Sequence, residues 1–134
     1  MSNVEVVHNS RELFPPDKMK VLYARSEYLF TEFPSIYYKC YHLANRACGM
    51  VLDPNCTYVY PVREMVGDDE LPPSIIIESL TEGSQANTIT IVRTIGSLPY
   101  GFPPFTDEEK KIITDLVEKD DFAHYVDEYE FGYA

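Results

Sequence analysis

The run from Asn87 to Val117 constrains the fold of this chain more than any other stretch. It reads N-T-I-T-I-V-R-T-I, then G-S-L-P-Y-G-F-P-P-F, then T-D-E-E-K-K-I-I-T-D-L-V. Ile89, Ile91 and Ile95 fall on one side of a two-residue alternation, and Thr88, Thr90, Val92 and Thr94 on the other. That pattern suits a strand on a half-buried pleated surface. Gly96 and the segment Leu98-Pro99-Tyr100-Gly101 end it. Pro103-Pro104 keeps the chain extended up to a helix start. Thr106 is suited to the N-cap, and Glu109 three residues on completes a capping box. Asp107, Glu108 and Glu109 lie in the first turn, where the positive end of the helix dipole favours them. Ile112, Ile113, Leu116 and Val117 then recur at helical spacing as one apolar stripe, which needs a sheet to cover.

The rest of the chain supplies that sheet. Val4 to Val7 reads as a short strand or an ordered arm, ended by Pro15-Pro16. Met19, Leu22, Tyr23, Ser26 and Phe30 give a helical pattern that Phe33-Pro34 breaks. Ser35 is suited to cap a second helix, with Ile36, Tyr37, Cys40, Tyr41, Ala44, Ala47 and Cys48 on its face and Gly49 at its C-cap. Cys56 to Val62 reads as a strand whose Pro61 points to a sheet edge or a bulge. Residues 67–73 read as an acidic loop. Ile75-Ile76-Ile77 reads as a strand buried on both faces, joined to the 87–95 strand as an antiparallel hairpin. Residues 120–134 read as further helix, with Phe122, Tyr125, Tyr129 and Tyr133 about one turn apart. The expected architecture is α+β: one domain over 1–134, with a small antiparallel sheet. Its two long helices and the capped helix cover one face, and the other face is left to water, loops or a ligand.

Charge and cysteine usage narrow the function classes. The 134 residues carry 22 acids against 11 lysines and arginines, a net charge of −11. Residues 107–134 hold ten of those acids and three of the bases, hence −7. Free nucleic acid and anionic membrane surfaces are therefore poor partners. There is no leader-like N-terminus and no apolar run long enough for a bilayer. The odd set Cys40, Cys48 and Cys56 reads as reduced thiols of a cytoplasmic protein. The sequence ends E-Y-E-F-G-Y-A with no helix stop, which suits a domain cut from a longer protein.

Candidate chemistry is sparse. The cysteines are each eight apart, unlike zinc-binding pairs, and His42 is two residues from Cys40, facing away on a helix. Buried thiols explain them better than a metal site or a nucleophile pairing Cys48 with His8 or His124. Asp68, Asp69 and Glu70 lack the alternating oxygens of a cation loop and read as a solvated turn. No metal, cofactor or catalytic residue is expected, and an enzyme is the least supported class. The eleven tyrosines are the unusual feature. Most suit the boundary of a small core without tryptophan, and Tyr58, Tyr60 and Tyr100 are the candidates for a pocket or interface. Arg93, the sole base in residues 67–106, is the candidate anchor for an acidic ligand or an internal carboxylate.

From Ile89 to Val117 the chain resembles the last strand and last helix of GAF-type sensory domains. The residues are Ile89-Thr90-Ile91-Val92-Arg93, then Phe105-Thr106-Asp107-Glu108-Glu109 with Ile113 and Leu116. The resemblance covers about a quarter of the chain. It implies a non-catalytic cytoplasmic regulatory domain that homodimerises through helices and takes a small molecule. Such a domain would control an attached output domain such as a diguanylate cyclase or phosphodiesterase. Its helix Ile112–Val117 would be the packing or dimer element. The family's usual sheet has more strands than the three or four readable here, and no ligand residue carries over to a named position. The rival reading is a small acidic protein that binds a basic protein partner, in the manner of a phage-type inhibitor or nucleic-acid mimic, through its acidic tail.

Overall fold

The computed structural model describes residues 4–8, 16–66, 69–80, 87–92, 95, 98, 101–118 and 123–125. The elements, in order, are β1 (Val4–His8), α1 (Pro16–Glu32), α2 (Pro34–Cys48), a 3-10 turn (Pro54–Cys56), β2 (Thr57–Val66), β3 (Asp69–Leu80), β4 (Asn87–Val92), α3 (Asp107–Glu118) and β5 (Ala123–Tyr125). Among the described residues the strands form one sheet of order β1-β4-β3-β2-β5. Each neighbouring pair among the first four is antiparallel, and β5 adds parallel to β2 through Arg63 to Met65. The class is α+β.

Register divides the side chains into two faces. Val59, Ile77 and Thr90 lie across from one another, as do Pro61, Ile75 and Val92. This face packs under Ile36, Tyr37, Cys40, Leu43 and Ala44 of α2 and Ile113 of α3. Tyr60, Ile76 and Ile91 align on the opposite face with Val62 and Ile89, against Met19 and Leu22 of α1. Ser74 to Ser79 are all buried, as the triple isoleucine implies. Residues 88–92 are buried on both sides as well, not on one, because β1 flanks β4 and makes it an interior strand.

Helix α1 departs from the sequence expectation. It does not share one face with α2 and α3. Its Met19 and Leu22 reach the second face while Leu29 joins the first. Between them Ser26 Oγ accepts the Val59 backbone N–H at 2.7 Å. The helix therefore runs past the β2 edge from one face to the other. A buried strand N–H needs an acceptor, and here a serine on the helix replaces a further strand. Pro61, two residues on, has its ring nitrogen on the same side of β2, away from β3, which is where a strand tolerates proline.

Three other boundaries differ. The 67–73 segment is not all loop: β3 begins at Asp69 and pairs with β2 out to Val66. Pro72 and Pro73 sit where the register shifts, two residues opposing Arg63, because neither can donate a ladder bond and a bulge accommodates both. Ser35 does not cap α2. Phe33 occupies the cap position without a side-chain bond, and Pro34 takes the first helical position. Ala123–Tyr125 is strand where helix was expected, because β2 offers an open edge there; Phe122, Tyr129 and Tyr133 lie outside the described residues. Gly49 does close α2, at φ 71°, the left-handed conformation that glycine adopts without steric cost.

Candidate functional site

The α3 stripe is committed to the fold. Ile113 and Val117 are buried, and Ile112 and Leu116 are partly buried against the same core. The capping box forms as the sequence reads: Glu109 N–H donates to Thr106 Oγ1 at 3.1 Å, and Thr106 N–H donates to Glu109 Oε1 at 2.8 Å. The same carboxylate also ties α3 to α2. Lys39 Nζ donates to its Oε1 at 2.6 Å and Ser35 Oγ to its Oε2 at 2.9 Å. Burial alone would raise the Glu109 pKa. The bonds from Lys39, Thr106 and Ser35 outweigh that and hold it below the usual range. This residue is a structural clamp between α2 and α3.

A groove of about 580 Å³ opens on the other side of the molecule, between α1 and the start of β2. Its helical wall is a stripe of α1 made of Lys20, Tyr23, Ala24, Glu27 and Phe30. Those positions recur at three- and four-residue spacing, which places them on one face. The opposite wall is Pro54, Asn55, Thr57 and Tyr58, with Tyr37 behind. The Tyr23 and Tyr58 rings stack at 4.2 Å, and Phe30 meets Tyr37 edge-on at 4.9 Å.

Hydrogen bonds fix both walls. The Tyr37 hydroxyl lies 2.8 Å from the Thr57 carbonyl and 3.0 Å from that of Pro54, sharing its proton between them. Burial, then the neighbouring Tyr38, Tyr41, Asp53 and Tyr58, push its pKa well up, so it stays a donor. Tyr41 donates to the Leu52 carbonyl, and Leu52 N–H donates to Asn45 Oδ1. Asp53 caps the 3-10 turn through Asn55 N–H. On the α1 side, the Tyr23 hydroxyl donates at 2.7 Å to Glu78, a carboxylate wholly buried on β3. The walls are thus set before any ligand arrives, as binding without a large ordering cost requires.

The sequence candidates separate here. Tyr58 lines the groove. Tyr60, on the same side of β2, is 0 % exposed and belongs to the core with Met19 and Leu22. Arg93 and Tyr100 lie outside the described residues. The groove residues that sequence reading passed over are Tyr23, Tyr37, Lys20 and Glu27. A signal existed, since Lys20, Ala24 and Glu27 recur at helical spacing beside Tyr23 and Phe30 of the apolar pattern. Cys40 is buried, and burial pushes its thiol pKa far up. Cys48 and Cys56 are partly buried, and no disulfide forms among the three cysteines. The Cys48 sulfur contacts Thr90 Oγ1 at 3.5 Å and the Cys56 sulfur lies 3.9 Å from Asp53 Oδ2. Among the described residues no three of His, Cys, Asp and Glu are arranged to hold a metal ion, and no helix is long and apolar enough to cross a membrane.

No protein-family model, curated protein or solved structure matches this chain.

Proposed function

We propose that this chain is a non-catalytic, cytoplasmic regulatory domain that seats a small organic molecule in the α1–β2 groove. The observation that carries the reading is the groove itself. Its volume falls within the range of small-molecule sites, roughly 300–1,000 Å³. Four aromatic rings line its walls, and the Tyr23 and Tyr37 hydroxyls are held by hydrogen bonds. A ligand that touches both walls would favour the state in which α1 is docked on β2, so occupancy would bias helix position. The GAF-type resemblance of residues 89–117 supports a sensory role and control of an attached output domain. Val21 and Tyr28, each 48 % exposed and two turns apart on α1, support a helix-to-helix contact in a homodimer. The binding of a basic protein partner rests on the net charge of −11 and is the second reading.

The test is native mass spectrometry on protein purified from cells, beside an Ala24→Trp variant. Ala24 is exposed on the groove wall, so tryptophan there fills the groove without touching the core. A dimer carrying small-molecule mass that the variant loses is the expected outcome. A ligand-free monomer in both would reject the sensor reading and direct the search to a basic partner.

A further inference from the structure

We infer that the groove takes an elongated zwitterion with an aromatic middle, of the size of a short peptide with free termini, its carboxylate at Lys20 and its ammonium at Glu27. This rests on the groove being the ligand site and specifies what the site selects. Lys20 and Glu27 are the two formal charges among the lining residues, and both are exposed. Neither is engaged in an ion pair or hydrogen bond among the described residues, unlike Lys39 and Glu109 across the molecule. They lie seven positions apart on α1 and so share a face, separated by about 10.5 Å of helix rise. That is too far for them to neutralise each other.

The wall between them is aromatic. Tyr23 and Tyr58 border the space, and the short side chain of Ala24 leaves it open. Phe30, one turn beyond Glu27, offers its ring to an ammonium. An extended peptide rises about 3.3–3.6 Å per residue, so three residues span about 10 Å. The charges also discriminate among ligand classes. A neutral ligand would desolvate both Lys20 and Glu27 without pairing either. An anion would meet Glu27 and the net −11 of the chain, and a cation would leave Lys20 unmatched. A zwitterion of this length pairs both.

The probe is the tripeptide Gly-Phe-Gly with free termini, compared at low salt with its N-acetylated, C-amidated form. Binding is read by calorimetry and by NMR of the Tyr23 and Tyr58 rings. The free peptide is expected to bind at least tenfold tighter than the capped one. In Glu27→Lys the preference should pass from the tripeptide to suberate, a dicarboxylate of similar span. The double variant Lys20→Glu, Glu27→Lys should recover the tripeptide, turned end for end. Both side chains are exposed, so unchanged melting temperatures are expected and serve as the folding control. Equal binding of free and capped peptide, or a Glu27→Lys variant with unaltered preference, overturns the zwitterion assignment while leaving the groove as a ligand site. If neither peptide nor suberate perturbs Tyr23 or Tyr58, the zwitterion assignment falls, and a panel of neutral phenols then decides whether the groove reading falls with it.

Discussion

Helices α1 and α3 lie against the same sheet and use their charges in opposite ways. On α3, Glu109 is spent on the fold: it closes its own helix cap, accepts Lys39 and Ser35 from α2, and is 8 % exposed. On α1, Lys20 and Glu27 hold nothing in place, and the aromatic rings beside them are half open to solvent. In the α3 region the buried carboxylate is matched by Thr106, Ser35 and Lys39. The α1 region leaves matched geometry with unmatched charge. Charges that cost nothing to the fold when removed, yet converge on a shaped groove, are where recognition is best sought.

Substitutions on the two helices test that contrast. Ile113→Ala should cost about 2–5 kcal/mol, read as a shift in urea midpoint, because a wholly buried isoleucine leaves a cavity between α3 and the sheet. A cost near zero would mean that α3 is not anchored as described. Glu109→Gln should cost about 1.5–3 kcal/mol, since bonds to a charged group are lost. Its pH dependence carries a sign. The Glu109 pKa is lowered in the fold, so its stabilisation is present in full above about pH 4.3 and is lost as pH falls through the lower folded value. The Gln variant should lack that part of the acid-unfolding profile.

Tyr37→Phe should cost about 1 kcal/mol by removing the tie to the Pro54 and Thr57 carbonyls. It should also weaken ligand binding by loosening one groove wall. Lys20→Ala and Glu27→Ala sit at the bottom of the scale, within about 0.5 kcal/mol of the parent in thermal or urea unfolding. If either instead destabilises as much as Glu109→Gln does, the contrast between the two helices collapses.

Local signals carried α3 and the central sheet. Thr106 and Glu109 mark a helix start by themselves, and Ile75-Ile76-Ile77 reads best as a strand shielded on both faces. The same holds for Gly49 as a helix stop. What the sequence hid depended on neighbours. Residues 69–73 look like loop because Pro72-Pro73 forbids regular pairing, and only the partner strand, with Arg63 opposite, shows that a bulge absorbs them. Ala123–Tyr125 becomes strand because the free side of β2 lies there. The position of α1 was hidden for a similar reason. Its pattern of apolar residues fixes a helix, but Met19 and Leu22 serve one face of the sheet and Leu29 the other. The candidate site was legible only in part: Tyr58 was named from its residue type, while Tyr60 two positions on has the same chemistry and a different fate.

The bond from the Val59 amide to Ser26 has a further consequence. A strand edge sealed by a serine instead of by another strand is sealed reversibly. When α1 lifts, β2 presents a bare donor, the kind of edge that can pair with another chain's strand. Exchange of that one amide with deuterium would therefore time the opening of α1. The same opening sets how often two copies of the protein have a chance to join edge to edge and begin to aggregate.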